Sequence, residues 1–203
     1  EFSREMVGTL DDLYLLHREL GNLADARDCV IRTRKICRHL HGAKHWRLAE
    51  CDWRLDELER LAGRNTEDWR LLQQAGIYLL QAHAQADNYR LALASSEEAE
   101  TRFREFYRSN GDRDSANHPD IALCHQLRGN LHKARGNLEA AKDELERSVS
   151  ILEVNYERSP SSVGHPDLAT TLNILGLAYR DNHEFELAES SILRALKMQE
   201  RIY

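Results

Sequence analysis

Between His165 and Ala195 the apolar residues alternate large and small in the pattern of two helices packed against each other. Leu172, Leu175, Gly176 and Tyr179 recur at spacings of three and four, so they share one face of a helix that opens at His165-Pro166-Asp167. Ala188, Ile192 and Ala195 do the same in a second helix that begins near Phe185. Small residues let two backbones approach and bulky ones fill the space between them. The pattern therefore predicts a helical hairpin with Gly176 at its point of contact.

The pattern recurs. His118-Pro119-Asp120-Ile121-Ala122 repeats the opening 47 residues upstream; Gly129 stands for Gly176, Ala141 for Ala188, Leu145 for Ile192 and Ser148 for Ala195, with weaker matches at Arg128 and His132. Asn88-Tyr89-Arg90-Leu91-Ala92, followed by Ala99, parallels the second helix of the pair, as does Gly21-Asn22-Leu23-Ala24-Asp25-Ala26 near the start. Four units follow, at about 6–42, 67–109, 119–157 and 166–203. Their matched alanines, Ala26, Ala92, Ala141 and Ala188, are 66, 49 and 47 residues apart, against roughly 34 for a minimal two-helix repeat.

Two causes account for the excess. Asn110–Asn117 and Arg158–Gly164 are turn-rich, nearly devoid of apolar residues, and each leads into His-Pro-Asp. Proline at a first helical position has no amide hydrogen to leave unpaired, and the adjacent aspartate complements the positive helix end, so His118 and His165 mark helix starts and read as structural. Between the first two units, Trp46, Ala49, Trp53, Leu55, Leu58 and Leu61 form a helical stripe that Gly63-Arg64-Asn65-Thr66 ends, predicting an extra helix over about 46–62.

The 165–195 stretch and its upstream copies resemble the tetratricopeptide (TPR) repeat, and the His-Pro-Asp-x-Ala-Thr-Thr-Leu-Asn opening is similar to the long repeats of kinesin light chains and many bacterial arrays. The segment His45-Trp46-Arg47-Leu48-Ala49 through Asp56–Leu61 is similar to segments of large planctomycete repeat proteins, some of which join the array to a serine/threonine kinase. The resemblance implies an all-α fold, a right-handed α-α superhelix of antiparallel hairpins, and protein recognition in a concave groove. As the chain lacks an initial methionine and stops at Arg201-Ile202-Tyr203 within a helix, it is expected to be a piece of a larger protein. On this reading Ile192, Leu193, Leu196, Met198 and Ile202 form an uncovered edge suited to self-association.

Composition narrows the alternatives. With 41% hydrophobic and 31% charged residues and three prolines, the chain reads as soluble, all-helical and without sheet. No apolar run approaches the roughly 18 residues of a membrane span. Cys29 and Cys37, on one helix, are about 12 Å apart along its axis, beyond disulfide reach, and the scattered Cys51 and Cys124 give the same picture of a reducing, cytoplasmic setting.

Candidate chemistry is sparse. There is no phosphate-cradling glycine loop, His-Glu-x-x-His or Gly-x-Ser-x-Gly, so the array itself reads as non-catalytic and free of cofactors. His39, His41 and His45 lie within seven residues, but no Cys or acid completes a tetrahedral site, and histidines suit a helix C-terminus through the dipole. The expectation is no metal. A binding face is better supported. Gln126, Asn130 and Lys133 project together from one first helix and Asn173, Leu177 and Arg180 from the next, with Gln74, Gln81 and Gln85 upstream. Their amides can bond a peptide backbone, and Lys133 and Arg180 an acidic group. A second surface is basic: Arg27, Arg32, Arg34, Lys35, Arg38, Lys44 and Arg47 against Asp28 alone, in a chain of net charge −6. It suits an acidic partner through steering; RNA or phosphate is the weaker reading, since no aromatics interleave.

Overall fold

The structure, a computed structural model, describes residues 4–43, 45–108, 115–156 and 164–202. The expected breaks at 110–114 and 158–163, together with Lys44 and the terminal residues Glu1–Ser3 and Tyr203, lie outside the described residues. Among the described residues the regular elements are all helical: α1 (Arg4–Glu19), α2 (Leu23–His41), α3 (Trp46–Leu61), α4 (Thr66–Ala84), α5 (Tyr89–Arg108), α6 (Pro119–Ala134), α7 (Leu138–Tyr156), α8 (Pro166–Asp181) and α9 (Phe185–Ile202), with a 3-10 turn at Ser115–Asn117. The chain divides into two compact units near Gln73, and α4 begins in the first and ends in the second.

In the first unit Val7, Leu10 and Tyr14 of α1 meet Ala26, Cys29, Val30, Ile36 and Cys37 of α2 and Cys51 and Leu58 of α3. Ion pairs join the same helices at the core's edge. Glu57 of α3, 2% exposed, accepts from the Arg18 guanidinium at 2.7 Å and from the Tyr14 hydroxyl at 2.9 Å. Asp11 receives Arg47 at 2.6 Å and Arg54 at 2.7 Å. The turn into α4 is a reciprocal cap: the Asp68 amide donates to Asn65 Oδ1 at 2.9 Å, and the Asn65 amide to Asp68 Oδ2 at 3.4 Å.

In the second unit α6 pairs with α7 and α8 with α9, and α7 packs on α8. The hairpins close on glycine. A Cβ at Gly129 would stand 2.6 Å from Leu145 Cγ, and one at Gly176 would stand 2.5 Å from Ile192 Cγ1. Any side chain there would have to displace the partner helix or drive the facing Leu145 or Ile192 side chain from its place. Ser148, at the place Ala195 takes in the next hairpin, is fully buried and donates to the Ala122 carbonyl at 2.9 Å.

Three helices start on a histidine. His118 and His165 accept the amide hydrogens of Asp120 and Asp167 at Nδ1, each at 3.2 Å. Each ring stacks on a tyrosine, His118 on Tyr107 at 3.8 Å and His165 on Tyr156 at 3.6 Å between centroids. His45 caps α3 in the same way, accepting from the Arg47 amide at 3.4 Å. It therefore belongs to a helix N-terminus, unlike His39 and His41 in the last turn of α2.

One expectation is corrected. Met198 and Ile202 are buried, 9% and 4% exposed, while Leu193 and Leu196 are exposed. Ile202 follows Ala195 and Ala188 at intervals of seven and so continues the inward stripe of α9. Met198 lies against the backbone of Gly164, where a Cβ would fall 2.3 Å from its Cγ.

Candidate functional site

The residues expected to bind a partner lie on or next to α4, α6 and α8. Residues that point away from α7 and α9 are left to solvent by the same periodicity that buries Leu127, Leu131, Leu172 and Leu175. On α6, Leu123 and Asn130 are exposed and Gln126 and Lys133 half-buried; on α8, Asn173 and Arg180 are exposed and Leu177 half-buried. α4 contributes the exposed Gln81, the half-buried Gln74 and two apolar residues, Ile77 and Leu80, 55% and 70% exposed, and the half-buried Gln85 follows just past its end. Among the described residues, the side chains of Gln126, Asn130 and Asn173 make no hydrogen bond within the chain. Their donors and acceptors stay available to a ligand.

α6 and α8 touch, and the two cations come together at their C-terminal ends, on a residue that the spacing of the sequence had not singled out. Asp181 accepts from the Arg180 guanidinium at 2.7 Å and lies 3.7 Å from Lys133 Nζ. The hydrogen bonds from Arg180, with the charges of Arg180 and Lys133, hold the Asp181 carboxyl below its usual range. Two positive groups and one negative leave a net single positive charge. An incoming carboxylate would share the cations with Asp181 or displace it. The adjacency of Arg180 and Asp181 was legible in the sequence; the approach of Lys133 from another helix was not.

Behind this face lies a buried polar cluster. Arg128, 5% exposed, pairs with Glu100 of α5 at 2.5 Å and with Glu144 of α7 at 3.0 Å, and His125, 4% exposed, hydrogen-bonds Glu144 at 2.7 Å. His125 and Arg128 occupy the places of Leu172 and Leu175 in the next hairpin. Burial pushes both carboxyls up, but Arg128, Arg104 and His125 outweigh it at Glu100, and His125 and Arg128 do so at Glu144; both end below their ordinary range. The members of the cluster satisfy one another, so it ties α5, α6 and α7 together. The weak match at Arg128 was its one trace in the sequence.

All four cysteines are buried free thiols, and burial pushes Cys51 and Cys124 up to about 12, leaving their nucleophilic thiolates unpopulated near neutral pH. His41 and His45 stack at 4.2 Å between centroids, and among the described residues no group of three or more His, Cys, Asp or Glu is placed to hold a metal ion. No described helix is long and apolar enough to cross a membrane.

A search of the curated proteins returned no match. Among solved structures the chain is similar to BtubC (BKLC) from P. vanneervenii, at 19% identity over 96% of this chain and 80% of that one, with a TM-score of 0.42. Residues 168–203, the α8–α9 hairpin, match the family model described as tetratricopeptide repeat. The match falls on the hairpin that closes at Gly176, and the same glycine-closed pairing recurs in α6–α7.

Proposed function

We propose that the chain is a protein-interaction module that takes an extended or helical peptide along the α4, α6 and α8 face of its second unit. The observation that carries this reading is the row of unengaged amides, Gln126, Asn130 and Asn173, ending at the Lys133–Asp181–Arg180 cluster. Such amides read a peptide backbone through paired donors and acceptors, the half-buried Leu177 and exposed Leu123 supply apolar contact, and the net positive end suits an acidic side chain or terminal carboxylate. Partner recognition is what TPR repeats generally do, and nothing in the face requires a cofactor.

A peptide array probed with the intact chain, followed by calorimetric titration of the selected peptide, tests the proposal. Replacing Asn130, Lys133, Asn173 and Arg180 together with alanine removes surface groups whose individual effects on stability are about 0.5 kcal/mol or less. The quadruple variant is expected to stay folded and to lose the peptide. Full affinity in the folded variant rejects this face as the binding site.

A further inference from the structure

A second candidate site lies in the first unit, on residues that the α4, α6 and α8 face does not use. Four of the seven basic residues between Arg27 and Arg47 are engaged: Arg27 with Glu59 at 3.1 Å, Arg32 with Asp28 at 3.7 Å, Arg34 with Asp52 at 2.9 Å and Arg47 with Asp11 at 2.6 Å. Lys35 and Arg38 meet no acid among the described residues. Both line a groove of about 440 Å3 between α2 and α3, together with Ile31, Arg34, His39 and Leu55. Arg34 and Arg38 also border a smaller adjoining hollow, of about 100 Å3, that reaches Leu48 and Asp52.

We infer that this groove is a docking site for an acidic amphipathic helix, whose apolar side rests on Ile31 and Leu55 while its carboxylates meet Lys35 and Arg38. Three observations select that occupant. The wall combines apolar with cationic groups, and Ile31 is 47% exposed, a surface that rewards a ligand of both characters. The two uncompensated cations sit on a chain of net charge −6, so they form a local positive region that steers acidic segments specifically. The lining residues of α2 run from Ile31 to His39, about 12 Å along the helix, which matches roughly two turns of a ligand helix laid in the groove. A nucleic acid would need aromatic platforms, and no Trp, Tyr or Phe lines the groove.

Fluorescence anisotropy with the intact chain and a labelled helical peptide of about three turns, leucine on one face and glutamate on the other, tests the inference. Saturable binding that weakens with added salt is expected. Lys35→Glu with Arg38→Glu should lower the affinity about tenfold or more, Ile31→Asn should lower it several-fold, and a counterpart peptide with lysine in place of glutamate should not bind. Lys35→Gln with Arg38→Gln serves if the charge-reversed variant fails to match the wild-type thermal melt. The inference is overturned if the folded charge variant binds as tightly as wild type, or if a polyuridylate oligonucleotide displaces the peptide and binds Ile31→Asn undiminished, which would make the groove an anion site for nucleic acid. Either failure leaves the α4, α6 and α8 face untouched, because no residue is shared.

Discussion

Gly176→Ala tests the packing of the α8–α9 hairpin most directly. The new Cβ would lie 2.5 Å from Ile192 Cγ1, 3.3 Å from Ile192 Cδ1 and 3.1 Å from the Ala188 carbonyl oxygen, where carbon–carbon contacts settle at about 3.5–4.0 Å. Relief requires α9 to retreat by up to about 1 Å or Ile192 to leave its rotamer, an overpacking penalty of about 1–3 kcal/mol. Against this stands the gain of about 1 kcal/mol when alanine replaces glycine inside a helix. A net loss of about 1 kcal/mol is expected, and nearer 3 kcal/mol for Gly176→Leu. Ile192→Ala removes both offending carbons, so in that background Gly176→Ala should approach neutrality, with a favourable coupling of about 1 kcal/mol or more. Urea unfolding followed by circular dichroism gives the global value. Because repeat units can open separately, hydrogen exchange of the α8 and α9 amides gives the local one. If Gly176→Ala stabilises the hairpin, and does so equally with and without Ile192, helix propensity decides the site and the close-contact reading is wrong.

Arg128→Met should cost about 1–3 kcal/mol in urea unfolding at neutral pH, since it removes the buried cation that Glu100 and Glu144 share and leaves these half-buried carboxylates with Arg104 and His125. Both carboxyls are held below their ordinary range, so in the wild type their contribution is complete above about pH 4.3 and is lost as pH falls through their lowered folded values; the variant should lose less on acidification, and an equal loss would detach the cluster from acid stability. His45 is held down to about 4 by burial and by the nearby charges of His41 and Arg47. The unfolded chain binds a proton there from about pH 6.5 downward while the folded chain resists until about 4, so stability should fall across that window, by about 1–2 kcal/mol after allowance for solvent screening at this half-buried ring. His45→Asn, which caps without titrating, should flatten that part of a pH series of thermal melts, and an unchanged slope would exclude His45 as its source.

Local rules with short reach were legible in the sequence. The three-and-four spacing of apolar residues, proline at a first helical position and the small residues at Gly129, Gly176, Ala141 and Ala188 each depend on a chain segment and its immediate neighbour, and the helices begin at Pro119 and Pro166 as those rules require. Histidine before proline already marked His118 and His165 as helix starts; His45, without a following proline, was grouped with His39 and His41 by proximity alone, although Gly42 separates it from their helix. What only tertiary structure decided involves charge and burial between helices. Arg128 could be read as a weak match, yet its burial depends on Glu100 and Glu144 arriving from two other helices, at sequence separations of 28 and 16. Lys133 is half-buried and Arg180 exposed, but their net charge depends on Asp181 standing where both can reach it. Ile202 already followed the inward spacing of Ala188 and Ala195, whereas the burial of Met198 depends on the backbone of Gly164 arriving against it. Helical periodicity sets the direction of a side chain to within part of a turn; whether that direction meets water, a carboxylate or a methyl group is set by elements whose positions no local pattern specifies.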